Sequence, residues 1–183
     1  MMCSGGGYEL HWGRGQNLLG RFWIASRSRR RKKGLRGYNA GKKVLGRKRH
    51  LLVDTLGLIW VVVHPAHLHD RDGGKLVLEE ARERCACLGM IWADGGYAGR
   101  LEAWLAQTCG WKPGIVLRDS YLGGFQVLPK RWIVERTFAW LGKYRRLSKD
   151  YEALPETSEA FIYAAMIHLM VRRLSRMYAC ALA

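Results

Sequence analysis

The order of apolar runs and amphipathic stretches between His50 and Arg118 constrains the fold more than any other feature of this sequence. HLLVD and LIWVVVH are short, rich in β-branched and aromatic residues, and separated by Thr-Leu-Gly, a hairpin signal. After the loop HPAHLHDRDGG, the stretch Lys75 to Leu88 sets Leu76, Leu78, Ala81, Cys85 and Leu88 at three- and four-residue spacings with charges between them. That pattern predicts an amphipathic helix closed by Gly89. MIWAD then reads as a short buried strand, Leu101 to Cys109 as a second helix, and GIVLR as a further strand. Strand, helix, strand, helix, strand is an α/β order, and the crossover helices imply parallel pairing behind the opening hairpin. Beyond Pro129 the chain turns helical, with Ile133, Thr137, Trp140, Leu141 and Tyr144 along one stripe. A last helix begins near PETSEA, where Thr157 or Ser158 can cap, and continues through FIYAAMIHLMVRRL.

Charge narrows the partner. Lys and Arg outnumber Asp and Glu by 31 to 15, for a net charge of +16. A chain this basic points to a polyanion, and nucleic acid comes first. The excess is uneven, because no Asp or Glu occurs between Glu9 and Asp54 while Arg and Lys crowd that stretch. Residues 1–36 show no sustained period of 2 or 3.6 and are expected to form a basic, disordered arm without elements. Residues 37–174 then form the folded region, and residues 175–183 a tail. Five cysteines in no metal-binding spacing read as reduced thiols, and neither a signal peptide nor a membrane span is apparent. The expected location is cytoplasmic, with no membrane partner.

Two carboxylates stand out. Asp94, in IWADGGY, lies where an apolar strand ends and two glycines begin, and ligand sites of open α/β sheets gather at the carboxyl ends of strands. It also suits a simple turn cap. Glu135, in KRWIVERTFAWLGKYRR, shares a helix face with Arg131 four residues earlier. The pair is either a surface ion pair or a metal ligand beside a phosphate-binding surface. His64, His67, His69, Asp70 and Asp72 resemble a metal loop, but no fixed ligand spacing supports it, and Asp70 and Asp72 fit better as turn and N-cap residues. Trp92, Trp104, Trp132 and Trp140 lie in periodic apolar segments and are expected in the core.

Five blocks, GYNAGKKVLGRKRHLLVDTLGL, HDRDGG, IWADGGYAG, LPKRWIVERTFAWLGKYRRLSKDYE and SEAFIYAAMIHLMVRRL, occur in this order. Together they closely resemble the catalytic region of insertion-sequence DDE transposases of the insertion-sequence-five group, from about Gly37 to Leu174. The resemblance implies an RNase H-like fold, a mixed sheet with flanking helices. It implies DNA transposition: metal-dependent strand cleavage and transfer at transposon ends, with double-stranded DNA as partner and a homo-oligomer on it, near the bacterial nucleoid. It also implies two Mg2+ ions held by carboxylates in the order Asp, Asp, Glu. Asp94 matches the second Asp, Glu135 the Glu, and Arg131 the basic residue one turn before it. Two such ions about 4 Å apart activate the attacking oxygen and stabilise the leaving one, which is why clustered carboxylates are needed. Lys42, Lys43, Arg47, Lys48, Arg49, Lys130, Arg136, Lys143, Arg145 and Arg146 are the expected DNA contacts.

The first Asp is missing. In the family it stands on the first strand, upstream of the GYNAGKK block, but here that region reads IASRSRRRKKGLRGY and the nearest counterpart is Ala25, followed by Ser26 and Arg27. Asp54 belongs to the later VDTLGL block and is expected to be a hairpin-turn residue. The N-terminal strand is therefore expected to be lost or degraded, and residues 1 to about 33 to lie outside the resemblance, as a shifted reading frame or an internal start would leave them. Two functions remain: a cutting and joining transposase, or an inactive DNA-binding remnant. A ribosomal-type RNA binder fits the charge but leaves WADGGY and RWIVERTFAW unexplained.

Overall fold

A computed structural model describes residues 20–30, 34–54, 57, 59–84, 88–117 and 131–181. Its strands are β1 (Gly20–Arg30), β2 (Gly37–Asn39), β3 (Val44–Asp54), β4 (Ile59–Pro65), β5 (Leu88–Asp94) and β6 (Lys112–Val116). The helices are α1 (Asp70–Arg84), α2 (Arg100–Trp104, continued by a π turn over Leu105–Cys109), α3 (Arg131–Gly142) and α4 (Pro155–Ala181). One mixed sheet runs β2-β3-β1-β5-β6, with β4 also paired to β3. β1 is antiparallel to β3 and parallel to β5, and β5 is parallel to β6.

The expected hairpin is present as β3 and β4, with Val53 opposite Ile59 and Leu52 opposite Trp60. Its turn uses Gly57 at φ 93°, a left-handed conformation that glycine adopts without a Cβ clash, and the Gly57 N–H donates to the Asp54 carbonyl at 3.2 Å. Asp54 is thus the turn residue it was expected to be.

Helix α1 begins at Asp70 rather than Lys75, and runs through Gly73 and Gly74. Two glycines weaken a helix locally, but here the packing requires them. A Cβ on Gly73 would collide with the His50 and His64 rings, and one on Gly74 would press on Tyr97 and Ile24. Leu88, assigned above to the helix, belongs to β5. α4 starts at Pro155, whose missing N–H costs nothing in a first turn. Thr157 and Ser158 therefore lie inside the helix rather than at its cap, and the Ser158 hydroxyl donates to Asp150. The helix also crosses residue 174 without a break. No helix among the described residues is long and apolar enough to cross a membrane.

The N-terminal strand is not lost. β1 stands between β3 and β5, its Phe22 to Arg30 facing Asp54 to Gly46 of β3. The expectation of an element-free arm over residues 1–36 fails at this segment for a physical reason. GRFWIASRSRR carries a short apolar stretch and otherwise basic and small residues, so its local pattern is weak. Hydrogen bonding to a neighbour on each side makes it a strand.

Residue alternation divides the core. Trp23, Leu51, Val53, Val61 and Val63 pack with Ile133, Phe138 and Leu141 of α3 and Ile162 and Met166 of α4. Their neighbours Ile24, Leu52, Ile91 and Ala93 pack instead with Val77, Leu78 and Ala81 of α1 and Leu101 of α2. A sheet covered on both faces buries both sets, which is why HLLVD and LIWVVVH read as continuous apolar runs. Of the four tryptophans expected inside, Trp132 is 53% exposed.

Candidate active site

β5 ends at Asp94 and the chain turns at once through Gly95 to Tyr97. Asp94 caps that turn, its Oδ1 accepting the Gly96 N–H at 3.0 Å. A Cβ on residue 96 would sit 3.1 Å from the same oxygen, so the second glycine of WADGGY lets backbone approach carboxylate. The turn-cap reading of Asp94 is therefore realised. It does not remove Asp94 from the site, because the residue also lines a cleft of about 640 Å³ at this end of the sheet.

The same cleft takes Arg131 and Glu135 from the start of α3, across from the strand ends. Arg131 Nε lies 3.1 Å from Glu135 Oε1, with the two side chains 51% and 65% exposed. This is a solvent-screened pair that contributes little to stability. Fold topology has nonetheless brought Asp94 and Glu135, forty residues apart in sequence, to one cavity.

A third carboxylate lines it, and sequence reasoning assigned it elsewhere. Asp70, at the start of α1, lies in the cleft wall and is paired with Lys48 Nζ at 2.8 Å. Its other neighbour is His50, whose Nε2 is 3.9 Å away. His64 Nδ1 lies 2.9 Å from the Pro65 carbonyl and must donate to it. His64 Nε2 faces His50 Nδ1 at 2.7 Å, and one proton bridges the two nitrogens. Burial, and secondarily His64, pulls the His50 pKa down to about 3. HDRDGG was visible as a block, but only the tertiary structure brings its first Asp to the cleft that Asp94 lines.

Ala25, the expected counterpart of the family's first Asp, lies on β1. β1 and β5 pair in parallel with Trp23 beside Trp92, and those two rings stack 6.0 Å apart. Continued by two residues along each strand, that register brings Ala25 level with Asp94. Arg27, one pleat further on, lines the cleft and lays its guanidinium 5.1 Å from the Phe138 ring centre. Among the described residues the cleft carries Asp70, Asp94 and Glu135 against Arg27, Lys42 and Arg131, three charges of each sign. Two dications need an excess of oxygen anions close together, and a balanced cleft does not provide one. Among the described residues no group of three His, Cys, Asp or Glu side chains is placed to hold a metal ion. The described residues of the cleft do not fit a two-metal centre.

The expected DNA contacts divide sharply. Lys42, Lys43, Lys143, Arg145 and Arg146 are exposed, and Arg136 is half-buried, stacked on Trp132 and Trp140. Arg146 also pairs with Glu152 at 2.8 Å. Lys130 lies outside the described residues. Arg47, Lys48 and Arg49 do not fit the expectation, because all three are buried and bonded within the fold. Alternation along β3 sends Arg47 and Arg49 toward the segment before α4 and Lys48 toward α1. Arg47 pairs with Asp150 at 3.2 Å and donates to the Glu152 and Ala153 carbonyls. Arg49 donates to the Leu147 and Lys149 carbonyls, and Lys48 to Leu68 and Asp70. Their basicity serves buried carbonyls, which would otherwise lack partners.

Several solved structures share this architecture. The catalytic core domain of HTLV-2 integrase in complex with magnesium aligns with a TM-score of 0.53 at 12% identity, covering 81% of this chain and 85% of that one. The BIV integrase catalytic core aligns at 0.51 and 12% identity, covering 78% and 79%. A chain of the simian T-cell lymphotropic virus intasome in complex with a PP2A regulatory subunit aligns at 0.52 and 16% identity, covering 83% of this chain but 49% of that one. The fold is RNase H-like, as these cores are. No curated protein sequence matches the chain. The profile of the Transposase DDE domain family matches residues 19–170, so the match takes in β1 and begins well before Gly37. From the centre of its sheet to the last shared helix, this chain belongs to the transposase DDE domain family.

Proposed function

We propose that this chain is a DNA-binding member of the insertion-sequence-five group of transposases that does not cut DNA by itself. The observation that supports this reading is the parallel register of β1 on β5, with Trp23 beside Trp92, which extended by two residues brings Ala25 level with Asp94. Cleavage by two ions needs ligands that hold both, and Asp94 with Glu135 supplies two carboxylates for two dications. Binding is less fragile, since phosphate contacts from Lys and Arg are distributed over the surface. Lys42 in the cleft wall and the exposed Lys43, Arg145 and Arg146 remain proposed contacts, double-stranded DNA the partner, and the bacterial nucleoid the place of action. An oligomer on DNA fits the same reading.

The test uses purified protein, Mg or Mn, and a duplex carrying the element's own ends. Binding should be present and weaken steeply with salt, while strand cleavage stays at background. Cleavage well above background, abolished by Asp94→Ala, would overturn the proposal. A second reading, an active enzyme, is favoured by one observation, the presence of Asp70 in the cleft wall. Its pairing with Lys48 weighs against it as an ion ligand. Under that reading Asp70→Asn would remove the cleavage as completely as Asp94→Ala.

A further inference from the structure

α3 ends and α4 passes it at a second groove, of about 460 Å³, that shares no residue with the acidic cleft. Its walls include Trp140, Lys143, His168, Arg172, Arg173 and Arg176. Two cations flank one ring there. The Arg136 guanidinium lies 4.5 Å from the Trp140 ring centre and that of Arg173 lies 4.2 Å from it. Burial and then the neighbouring Arg173 lower the Arg136 pKa, and Asp54 opposes them. Like charges held this close raise the local positive potential.

Asp54 of β3 acts on Arg136, but among the described residues that line the groove none is acidic. The sequence from Arg136 to Lys149 contains no Asp or Glu, and neither does that from Ala160 to Ala183. Lys143, Arg172 and Arg176 are exposed and in no ion pair among the described residues. His168, Arg172 and Arg176 follow one another at four-residue intervals on α4, a ladder with steps of about 6 Å on one helix face. Tyr144 fixes the first rung. Its hydroxyl donates to the Ala165 carbonyl at 3.0 Å, so His168 Nδ1, 2.9 Å away, must donate to the tyrosine oxygen.

We propose that this groove between α3 and α4 binds the phosphate backbone of duplex DNA, as an anchor separate from the acidic cleft. The inference rests on the DNA-binding reading above and deepens it. Lys143 lies eight residues beyond Glu135, just past the end of α3 and about 12 Å along its axis, so the anchor stands apart from the cleft. Duplex DNA fits better than a lipid surface because of how α4 distributes its residues. Ile167, Val171, Leu174 and Tyr178, all more than half exposed, form a separate stripe of α4 beside the ladder. Lipid binding would draw on that apolar face, whereas the ladder packs along α3 and offers charge.

The experiment measures anisotropy of a labelled 30-base-pair duplex of mixed sequence against the full chain across a salt series. The variant is Lys143→Ala/Arg172→Ala/Arg176→Ala, checked by circular dichroism. A control, Arg82→Ala/Arg100→Ala/Lys112→Ala, loses the same charge outside the groove. The groove variant should bind roughly tenfold or more weakly at 0.1 M salt, and its slope of log K against log salt should be shallower by about 2.7, at about 0.9 per lost phosphate contact. The control should change far less. A groove variant that matches the parent, or a control that falls as far, overturns the proposal while leaving the DNA-binding reading in place. A parent chain with no affinity for duplex even at low salt overturns both. Capture by phosphatidylserine vesicles that the groove variant loses, with DNA affinity unchanged, assigns the groove to lipid and overturns the proposal as well.

Discussion

Asp150→Ala should be one of the most damaging single substitutions in this protein, and it is remote from any reacting group. Arg47 Nε lies 3.2 Å from Asp150 Oδ2, with both side chains almost wholly buried, at 0% and 1% exposure. Arg47 also donates to the Glu152 carbonyl at 2.7 Å, the Ala153 carbonyl at 2.8 Å and the Leu35 carbonyl at 3.0 Å. One guanidinium therefore ties β3 to the segment entering α4 and to the segment before β2. Removing the carboxylate leaves a buried cation without its counter-charge, which costs about 3–5 kcal/mol. For a domain of this size each kcal/mol moves the thermal midpoint by about 2–4 °C, so a fall of roughly 6–20 °C is expected. Urea and thermal unfolding followed by circular dichroism would measure it.

Arg47→Met supplies the complementary arm. It should destabilise too, since it strands Asp150 and three carbonyls, yet DNA affinity per folded molecule at low temperature should equal that of the parent. The salt dependence should also be unchanged. If Asp150→Ala costs less than about 1 kcal/mol, the burial argument is wrong. If Arg47→Met leaves stability intact but makes the salt slope shallower by about 0.9, Arg47 touches phosphate after all.

Three further outcomes follow from the geometry. Ala25→Asp should create Mg-dependent stabilisation absent from the parent: with 10 mM Mg and a Kd of about 1 mM, the gain is about 1.4 kcal/mol, or roughly 3–6 °C. Equal midpoints with Mg and with EDTA would mean that Ala25 is not the position of the missing ligand. His50 has its folded pKa lowered to about 3, so between that value and about 6.5 the unfolded chain binds the extra proton; stability should be full above about pH 6.5 and fall as pH drops. Each such imidazole changes the folding constant by up to about tenfold per pH unit, and His50→Gln should flatten the urea midpoint between pH 6.5 and 5; an unaltered slope would refute the assignment. Gly73→Ala, which ordinary helix propensity would favour by about 1 kcal/mol, should instead destabilise by about 1–3 kcal/mol, because the new methyl meets the His50 and His64 rings. A rise in stability on that substitution would show that the rings can move aside.

Local periodicity carried much of this protein in plain view. The two-faced apolar runs at Leu51–Val53 and Val61–Val63, the strand ending at Asp94 and the four-residue step from Arg131 to Glu135 all record which way a side chain faces, a property of neighbouring residues alone. The sequence also holds no acidic residue between Glu9 and Asp54, the stretch where the resemblance leads one to expect a first carboxylate. What it could not record is which segments pair. β1 is a weak strand by composition, and it became central because β3 and β5 bind it on either side. The basic run Arg47 to Arg49 looked like a surface because charge is normally solvated. It is interior because Asp150, Asp70 and a set of loop carbonyls, most of them some hundred residues away, arrive to neutralise and bond it. Asp70 reached the cleft by the same kind of encounter. Long-range pairing satisfies groups whose partners are distant in the chain, so only the tertiary structure decided which charges were surface, which were core, and which lined one cleft with Asp94.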